Sequence, residues 1–323
     1  IQAAYLALQA KGVRVILGDM VLDHSAFELP VIDPGAFDGE ALRPYNATPD
    51  ALLVNFKSVI LTFQPDLANG VAYVVSEPPM AGLAVDASVP LSRTACGDWR
   101  SAVQARFDDP DRIRFEGRYP QSCGELKWPV AYQQPASYAA RAMEGLWRAS
   151  GGAITGRVRD GVMPAEVQLL HEARSLPLSE IIVDVNQWSN NVMAQQVFLT
   201  LGQLSPQATA LPGTGMALPL PVRTGFEQSR AVVAAWWKKT FGPRIAAPVI
   251  QNGSGLSRSE RSTAQALTAL LQAAHASPHA RHFMDSLAIA GVDGTAARLK
   301  DRSPQSPVIG NAWLKTGSLR DVA

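Results

Sequence analysis

The pattern of apolar and polar positions divides the chain into stretches of different character. Residues 3–10 repeat apolar positions at helical spacing, and the short apolar runs Val13–Leu17 and Met20–Leu22 predict two strands after that helix. From residue 51 to about residue 128, apolar runs alternate with turn residues. They predict strands at Leu52–Phe56, Ser58–Phe63, Val71–Val75, Leu83–Val85 and Ile113–Phe115. A β-rich region therefore follows a small mixed one.

Helical periodicity dominates the second half of the chain. A helix at Ser137–Ala149 and a strand at Ile154–Val158 lead into it. The apolar pattern of Leu178–Leu201 predicts one long helix that ends at Gly202. Further on, the pattern predicts two helices and then a strand, at Glu227–Thr240, Ser262–Ala274 and Pro307–Lys315. This order predicts at least two domains, of which the second is α/β.

Composition narrows the class of protein. Of 323 residues, 47% are hydrophobic and 18% charged, which is typical of a globular chain. The formal net charge of +1 argues against binding nucleic acid or an anionic membrane through a strong positive field. No apolar run approaches the roughly 20 residues of a transmembrane helix. Two cysteines, Cys96 and Cys123, are compatible with one disulfide or with two buried thiols.

Three polar clusters interrupt the apolar elements. Ser189-Asn190-Asn191 lies inside the predicted long helix, where such side chains compete with the backbone for hydrogen bonds. Lys315-Thr316-Gly317-Ser318 ends the last predicted strand and combines a positive charge, hydroxyl groups and a glycine that lets a substrate backbone approach. The glycine-rich segment Asn252–Arg258 is neither a Gly-x-Ser-x-Gly elbow nor a phosphate-binding loop. Each cluster alone is a weak signal, and the first is also typical of an exposed helix face.

Taken in order, S-x-N and K-T-G are two of the three signatures of penicillin-recognising serine enzymes. The chain resembles the class C penicillin-binding proteins, the D-alanyl-D-alanine carboxypeptidases/endopeptidases of peptidase family S13, along essentially its whole length. Six ordered patches carry the resemblance: Gly18–Asp23 with Phe27, Pro44-Tyr45 through Phe56, Ser189–Asn191 with Ala194, Asn252–Arg258, Gly291–Thr295 and Lys315–Ser318.

The resemblance implies an α/β fold with β-rich insertion: an incomplete transpeptidase-like (β-lactamase-like) domain at residues 170–323, preceded by inserted domains. We expect a β-rich inserted domain at residues 34–169 and the tail of a small inserted domain at residues 1–33. The resemblance also implies acylation of a serine by a D-Ala-D-Ala peptide, followed by hydrolysis, with β-lactams as trapped acyl donors.

Residue roles follow from the matching positions. Ser189 would relay a proton to the leaving amine, Asn191 would hold the substrate amide, and Lys315 would attract the terminal carboxylate. The resemblance implies that the substrate is bound by Thr316, Gly317, Ser318, Asp23, Phe27 and Arg258. The backbone N–H of Ser318 would form half of the oxyanion hole. Similarity to relatives also favours a Cys96–Cys123 disulfide, with no metal and no cofactor.

Departures from the family pattern bear on specificity and on activity. Gln187 stands where a basic residue is frequent, and Arg320 follows the K-T-G-S-L segment where a small or amide residue is frequent. No serine has lysine three positions downstream. The resemblance places that S-x-x-K motif before residue 1, so we expect an incomplete chain that cannot acylate by itself.

The resemblance implies that the partners are peptidoglycan peptides and β-lactams and that the protein is periplasmic. We expect no nucleic-acid partner and no transmembrane segment. The sequence does not indicate an oligomeric state. The alternative is a non-catalytic peptidoglycan-binding relative that lost the nucleophile. The presence of Ser189, Asn191 and Lys315 argues against it, because a binding module needs no proton relay. A β-lactamase is a further alternative, disfavoured by the large insertion ahead of S-x-N.

Overall fold

The computed structural model describes residues 1–164, 166–205 and 223–317. The described residues form two compact units, one reaching to residue 173 and the other beginning at residue 174. This boundary lies near the one we expect at residue 170. The further division of the first unit at residue 33 stays a prediction.

The first unit contains three helices and twelve strands among its described residues. In chain order they are α1 Gln2–Ala10, β1 Val15–Ile16, β2 Met20–Leu22, β3 Ser58–Asp66, β4 Val71–Glu77, β5 Ala84–Val85, β6 Ser88–Ser92, α2 Trp99–Val103, β7 Ala105–Asp109, β8 Arg112–Phe115, β9 Tyr119–Pro120, β10 Leu126–Ala131, α3 Pro135–Ala149, β11 Ala153–Ile154 and β12 Val158–Asp160. The predicted β-rich region is thus a region of strands, although the predicted strand Ile154–Val158 is divided between β11 and β12.

A five-stranded sheet in the order β10-β3-β4-β6-β9 forms the centre of this unit. Strand β3 is apolar at most of its positions, and Leu61 and Phe63 are fully buried. The Phe63 ring stacks on Tyr119 with centroids 5.2 Å apart, which favours one fixed arrangement of the core. Cys96 and Cys123 are joined by a disulfide at the edge of this core.

The predicted strand Leu52–Phe56 is wrong. Asn55, Phe56 and Lys57 instead adopt left-handed backbone angles, with φ of 41°, 53° and 50°. The buried Lys57 ammonium holds this turn through an ion pair with Asp50 at 2.8 Å. Apolar side chains alone do not make a strand, since a strand also needs a neighbouring strand with which to pair.

The second unit is mainly helical. Its helices and strands are α4 Leu178–Gln187, α5 Asn191–Leu201, α6 Phe226–Phe241, α7 Ala264–His275, α8 Ala280–Ser286, β13 Ala288–Ile289, α9 Leu299–Arg302 and β14 Trp313–Leu314. Strands β13 and β14 are antiparallel, with Ala288 opposite Leu314 and Ile289 opposite Trp313. This pairing places the end of the K-T-G strand beside the start of β13.

Two predictions about this unit are wrong. The stretch Leu178–Leu201 forms two helices, because the first helix ends at Gln187 and a second helix begins at Asn191. The predicted strand Pro307–Lys315 is reduced to Trp313–Leu314. Turn hydrogen bonds shape the residues before it, including Ile309 N to Ser306 O at 3.1 Å. Local turn bonds and a helix cap therefore replace the longer elements.

In the part of the chain that the structure describes, no helix combines the length and the apolar character needed to cross a bilayer.

Candidate active site

The break between α4 and α5 fixes the position of Ser189. This residue has a left-handed φ of 55°, an uncommon conformation for a residue other than glycine. Asn190 caps α5, because its side-chain oxygen accepts a hydrogen bond from Met193 N at 3.1 Å. Asn191 is the first residue of α5. The S-x-N cluster therefore lies at the N-terminus of a helix. The periodicity had instead predicted a position within one long helix.

Lys315 lies directly after β14 and reaches Ser189. Its ammonium nitrogen donates a hydrogen bond to Ser189 Oγ over 2.8 Å and another to the Thr316 carbonyl oxygen over 2.7 Å. Desolvation by the surrounding protein lowers the pKa of Lys315. Because the lysine supplies the proton of its bond to Ser189 Oγ, the serine keeps its own proton for another acceptor. The structure thus brings together two residues that are 126 positions apart in the chain.

The substrate-binding residues of the K-T-G segment have different surroundings. Thr316 Oγ1 lies 2.6 Å from Thr295 Oγ1, in the turn after β13. At Gly317, an added Cβ would meet no heavy atom of the described residues within 4 Å. Ser318 and the proposed contribution of its N–H to an oxyanion hole lie outside the described residues.

The glycine-rich segment forms a tightly bonded loop. Asn252 Oδ1 accepts hydrogen bonds from both Ser254 N, at 2.9 Å, and Ser254 Oγ, at 2.8 Å. The Ser254 hydroxyl therefore donates to an amide oxygen, which does not activate it as a nucleophile. Arg258 is exposed on this loop, and its assignment to substrate binding stays a prediction.

Asp23 and Phe27 belong to the first unit. Asp23 accepts hydrogen bonds from Ser25 N at 2.8 Å and Met163 N at 2.7 Å, and contacts with these two residues lower the pKa of its carboxyl group. Phe27 is half-buried. Asp23 thus stabilises the local backbone as an anion, and a role for either residue in binding substrate stays a prediction.

Sequence reasoning assigned no role to Thr295. Its segment, Gly291–Thr295, was one of the patches that carry the family resemblance, but nothing in the sequence indicated a bond to Thr316. Only the tertiary structure brings these two hydroxyl groups together.

The mixed α/β architecture and the S-x-N and K-T-G motifs define a penicillin-binding-protein fold. Residues 1–323 match the model of the D-Ala-D-Ala carboxypeptidase 3 (S13) family, and the chain belongs to that family. It is 24% identical over 320 residues to D-alanyl-D-alanine carboxypeptidase DacB of Haemophilus influenzae, covering 98% of this chain and 62% of the relative. It is 27% identical over 333 residues to a D-alanyl-D-alanine carboxypeptidase of Actinomadura sp., covering 97% of this chain and 57% of the relative. The chain therefore spans less than two thirds of the length of these relatives.

Solved structures show the same fold. The crystal structure of penicillin binding protein 4 (dacB) from Haemophilus influenzae matches with a TM-score of 0.68 and 23% identity, over 98% of this chain and 66% of that one. The same protein in complex with a β-lactam matches with a TM-score of 0.60 and 20% identity, over 98% and 65% of the two chains.

Proposed function

We propose that this chain is part of a serine-type D-Ala-D-Ala carboxypeptidase/endopeptidase that cleaves peptidoglycan stem peptides through an acyl-enzyme and binds β-lactams. The observation that carries the proposal is the 2.8 Å hydrogen bond from Lys315 Nζ to Ser189 Oγ, at the start of a helix. Family membership and the carboxypeptidase names of the relatives support the same function. We place the acylated serine and its lysine base in an S-x-x-K segment outside these residues.

In this mechanism, the Ser189 hydroxyl passes a proton to the leaving amine while the serine nucleophile forms the acyl bond to the substrate carbonyl carbon. Lys315 keeps Ser189 oriented and provides positive charge for the substrate's terminal carboxylate. Asn191 holds the substrate amide, and the Thr316 and Ser318 hydroxyls donate to that carboxylate. Water then hydrolyses the acyl-enzyme. No step requires a metal or a cofactor.

We also propose a periplasmic location. The Cys96–Cys123 disulfide supports it, because disulfides persist in oxidising compartments and are rare in the cytosol. Peptidoglycan peptides, the proposed substrates, would be available there.

The test is the intact mass of the complete gene product after incubation with penicillin, followed by peptide mapping. We expect one penicilloyl adduct, on a serine that has lysine three positions later and lies outside this chain. An adduct on Ser189 or Ser254 would contradict the assigned roles. A folded protein without any adduct would instead indicate a non-catalytic peptidoglycan-binding relative.

A matched pair of lysine variants tests the central observation. Lys315→Ala removes the charged donor to Ser189, and Lys238→Ala removes an exposed lysine of α6. We expect Lys315→Ala to slow penicillin acylation by at least roughly tenfold, since a hydrogen bond to a charged group contributes about 1.5–3 kcal/mol. Acylation of Lys238→Ala should proceed at the wild-type rate. Wild-type labelling in Lys315→Ala would refute the role of Lys315.

A further inference from the structure

The turn that follows β13 lies against both motifs of the candidate active site. We call residues 291–296 the bracket turn. It is closed by a hydrogen bond from Gly291 N to Ala296 O at 3.0 Å. Asp293 Oδ1 accepts a hydrogen bond from Ile289 N at 2.6 Å, which fixes the turn to the strand. Ala296 is fully buried, so this end of the turn packs against the protein interior.

On one side, the bracket turn contacts the segment that carries Ser189. Gly294 has a left-handed φ of 50°, and a Cβ added there would lie 2.5 Å from the Gln187 carbonyl oxygen. Only glycine, which has no Cβ, permits the two backbones to approach this closely. Gln187 ends α4, two residues before Ser189. The backbone of the turn therefore packs against the end of α4, directly before the S-x-N segment.

On the other side, the bracket turn contacts the K-T-G segment. The Thr295 and Thr316 hydroxyl oxygens are 2.6 Å apart, so one hydroxyl donates its proton to the other. A hydroxyl group has a single proton to donate and two lone pairs with which to accept. If Thr316 donated to Thr295, it would have no proton left for a substrate carboxylate. If Thr295 donates, the Thr316 proton is free, and its hydroxyl becomes a better donor through polarisation.

We propose that Thr295 is a positioning residue that donates to Thr316 Oγ1 and thereby directs the Thr316 proton towards the substrate's terminal carboxylate. The inference rests on the proposed function and deepens it, because it assigns a recognition role to a residue outside the S-x-N and K-T-G motifs. Thr295 acts only through Thr316. Its contribution is therefore specific to substrates with a free carboxylate at the C-terminus.

The test compares two peptides with the complete protein. One ends in D-Ala-D-Ala with a free carboxylate, and the other carries a C-terminal amide in its place. Thr295→Val preserves the shape of the side chain and removes the hydroxyl, whereas Thr295→Ser keeps the hydroxyl. Thr268→Val is the matched control, because Thr268 is an exposed residue of α7 whose hydroxyl donates to the Ala264 carbonyl oxygen at 2.8 Å.

We expect Thr295→Val to lower kcat/KM for the carboxylate peptide by roughly three- to tenfold, the range for loss of one hydrogen bond. The rate with the amide peptide should stay at its wild-type value. Thr295→Ser should restore the rate with the carboxylate peptide, and Thr268→Val should leave both rates unchanged. A residue that only supports the fold would instead lower both rates together.

A double-mutant cycle isolates the connection between the two threonines. In a Thr316→Val background, Thr295→Val should have no further effect on the carboxylate peptide, because its target hydroxyl is absent. Equal losses with and without Thr316 would overturn the inference, as would an unchanged rate in Thr295→Val. If the wild-type protein forms no acyl-enzyme with penicillin, the proposed function fails and the inference fails with it. Acylation by penicillin with an unchanged Thr295→Val variant overturns the inference alone.

Discussion

Replacing Gly294 by alanine perturbs the contact on which the S-x-N segment rests. The added Cβ would lie 2.5 Å from the Gln187 carbonyl oxygen and 3.1 Å from Ala288 Cβ, and Ala288 is fully buried. A left-handed φ costs an L-residue about 1–2 kcal/mol. Forcing an extra carbon into a packed site costs about 1–3 kcal/mol more. We therefore expect Gly294→Ala to reduce the free energy of unfolding of the second unit by about 2–5 kcal/mol.

Gly310→Ala is the matched control for this substitution. Gly310 has a left-handed φ of 76°, but an added Cβ would meet no heavy atom within 4 Å. This variant should show only the backbone cost of about 1–2 kcal/mol. The assay is urea unfolding of the complete protein, combined with hydrogen exchange of the amides in residues 286–297. Exchange should accelerate at Ile289, whose N–H bonds to Asp293.

Equal destabilisation by Gly294→Ala and Gly310→Ala would refute the reasoning, because it would mean that the close approach to Gln187 contributes nothing. A neutral Gly294→Ala variant would do so more strongly. A loss of unfolding free energy in Gly294→Ala that clearly exceeds the loss in Gly310→Ala would agree with a close contact between the turn and the S-x-N segment.

Other outcomes follow from contacts elsewhere in the chain. Replacing both Cys96 and Cys123 by serine should reduce the unfolding free energy by about 3–4 kcal/mol, on the chain-entropy model for a loop of this size; a wild-type midpoint of thermal unfolding would contradict this. Burial raises the pKa of Asp50, but hydrogen bonds from His24 and Lys57 outweigh it and hold that pKa well below its usual range. Its stabilisation should be present above about pH 4 and lost as pH falls towards the folded pKa, so Asp50→Asn should flatten the acid side of a stability–pH curve. The hydrogen bond to Asp50 raises the pKa of His24. The contribution of His24 to the unfolding free energy should therefore be present below about pH 6.5 and be lost as pH rises through the folded pKa. The unfolding free energy of His24→Asn should not show this loss. Asn190→Ala should cost about 1 kcal/mol in urea unfolding through loss of the α5 cap, and an unchanged urea midpoint would argue against that cap.

The sequence by itself determined the family and most of the local structure. The apolar runs at Met20–Leu22 and Ser58–Phe63 are strands, and the helical period at Ser137–Ala149 is a helix, because the spacing of apolar residues follows which positions of an element are buried. The order of the S-x-N and K-T-G motifs indicated the family to which the chain belongs. Such motifs are readable because their chemistry depends on residue type and spacing.

The break at Ser189 was only half visible in the sequence. The polar triplet Ser189-Asn190-Asn191 competes with the helix backbone, and Asn190 is a favourable N-cap residue. The apolar period nevertheless continues across it, although α5 buries Val192, Phe198 and Leu199 whereas the apolar residues of α4 are at most half-buried. Periodicity reports which residues are buried, and it does not report whether the helix axis continues between them.

Only the tertiary structure decided which polar groups meet. Lys315 reaches Ser189 across 126 positions, and Thr295 reaches Thr316 across 21. Both contacts join segments that are far apart in the sequence, in a region where β13 pairs with β14 and Gly294 lies close to Gln187. Hydrogen bonds change with shifts of a few tenths of an ångström, whereas the apolar pattern constrains only which face of an element is buried. The sequence therefore specified the chemical groups of the candidate site, and packing between distant segments specified their contacts.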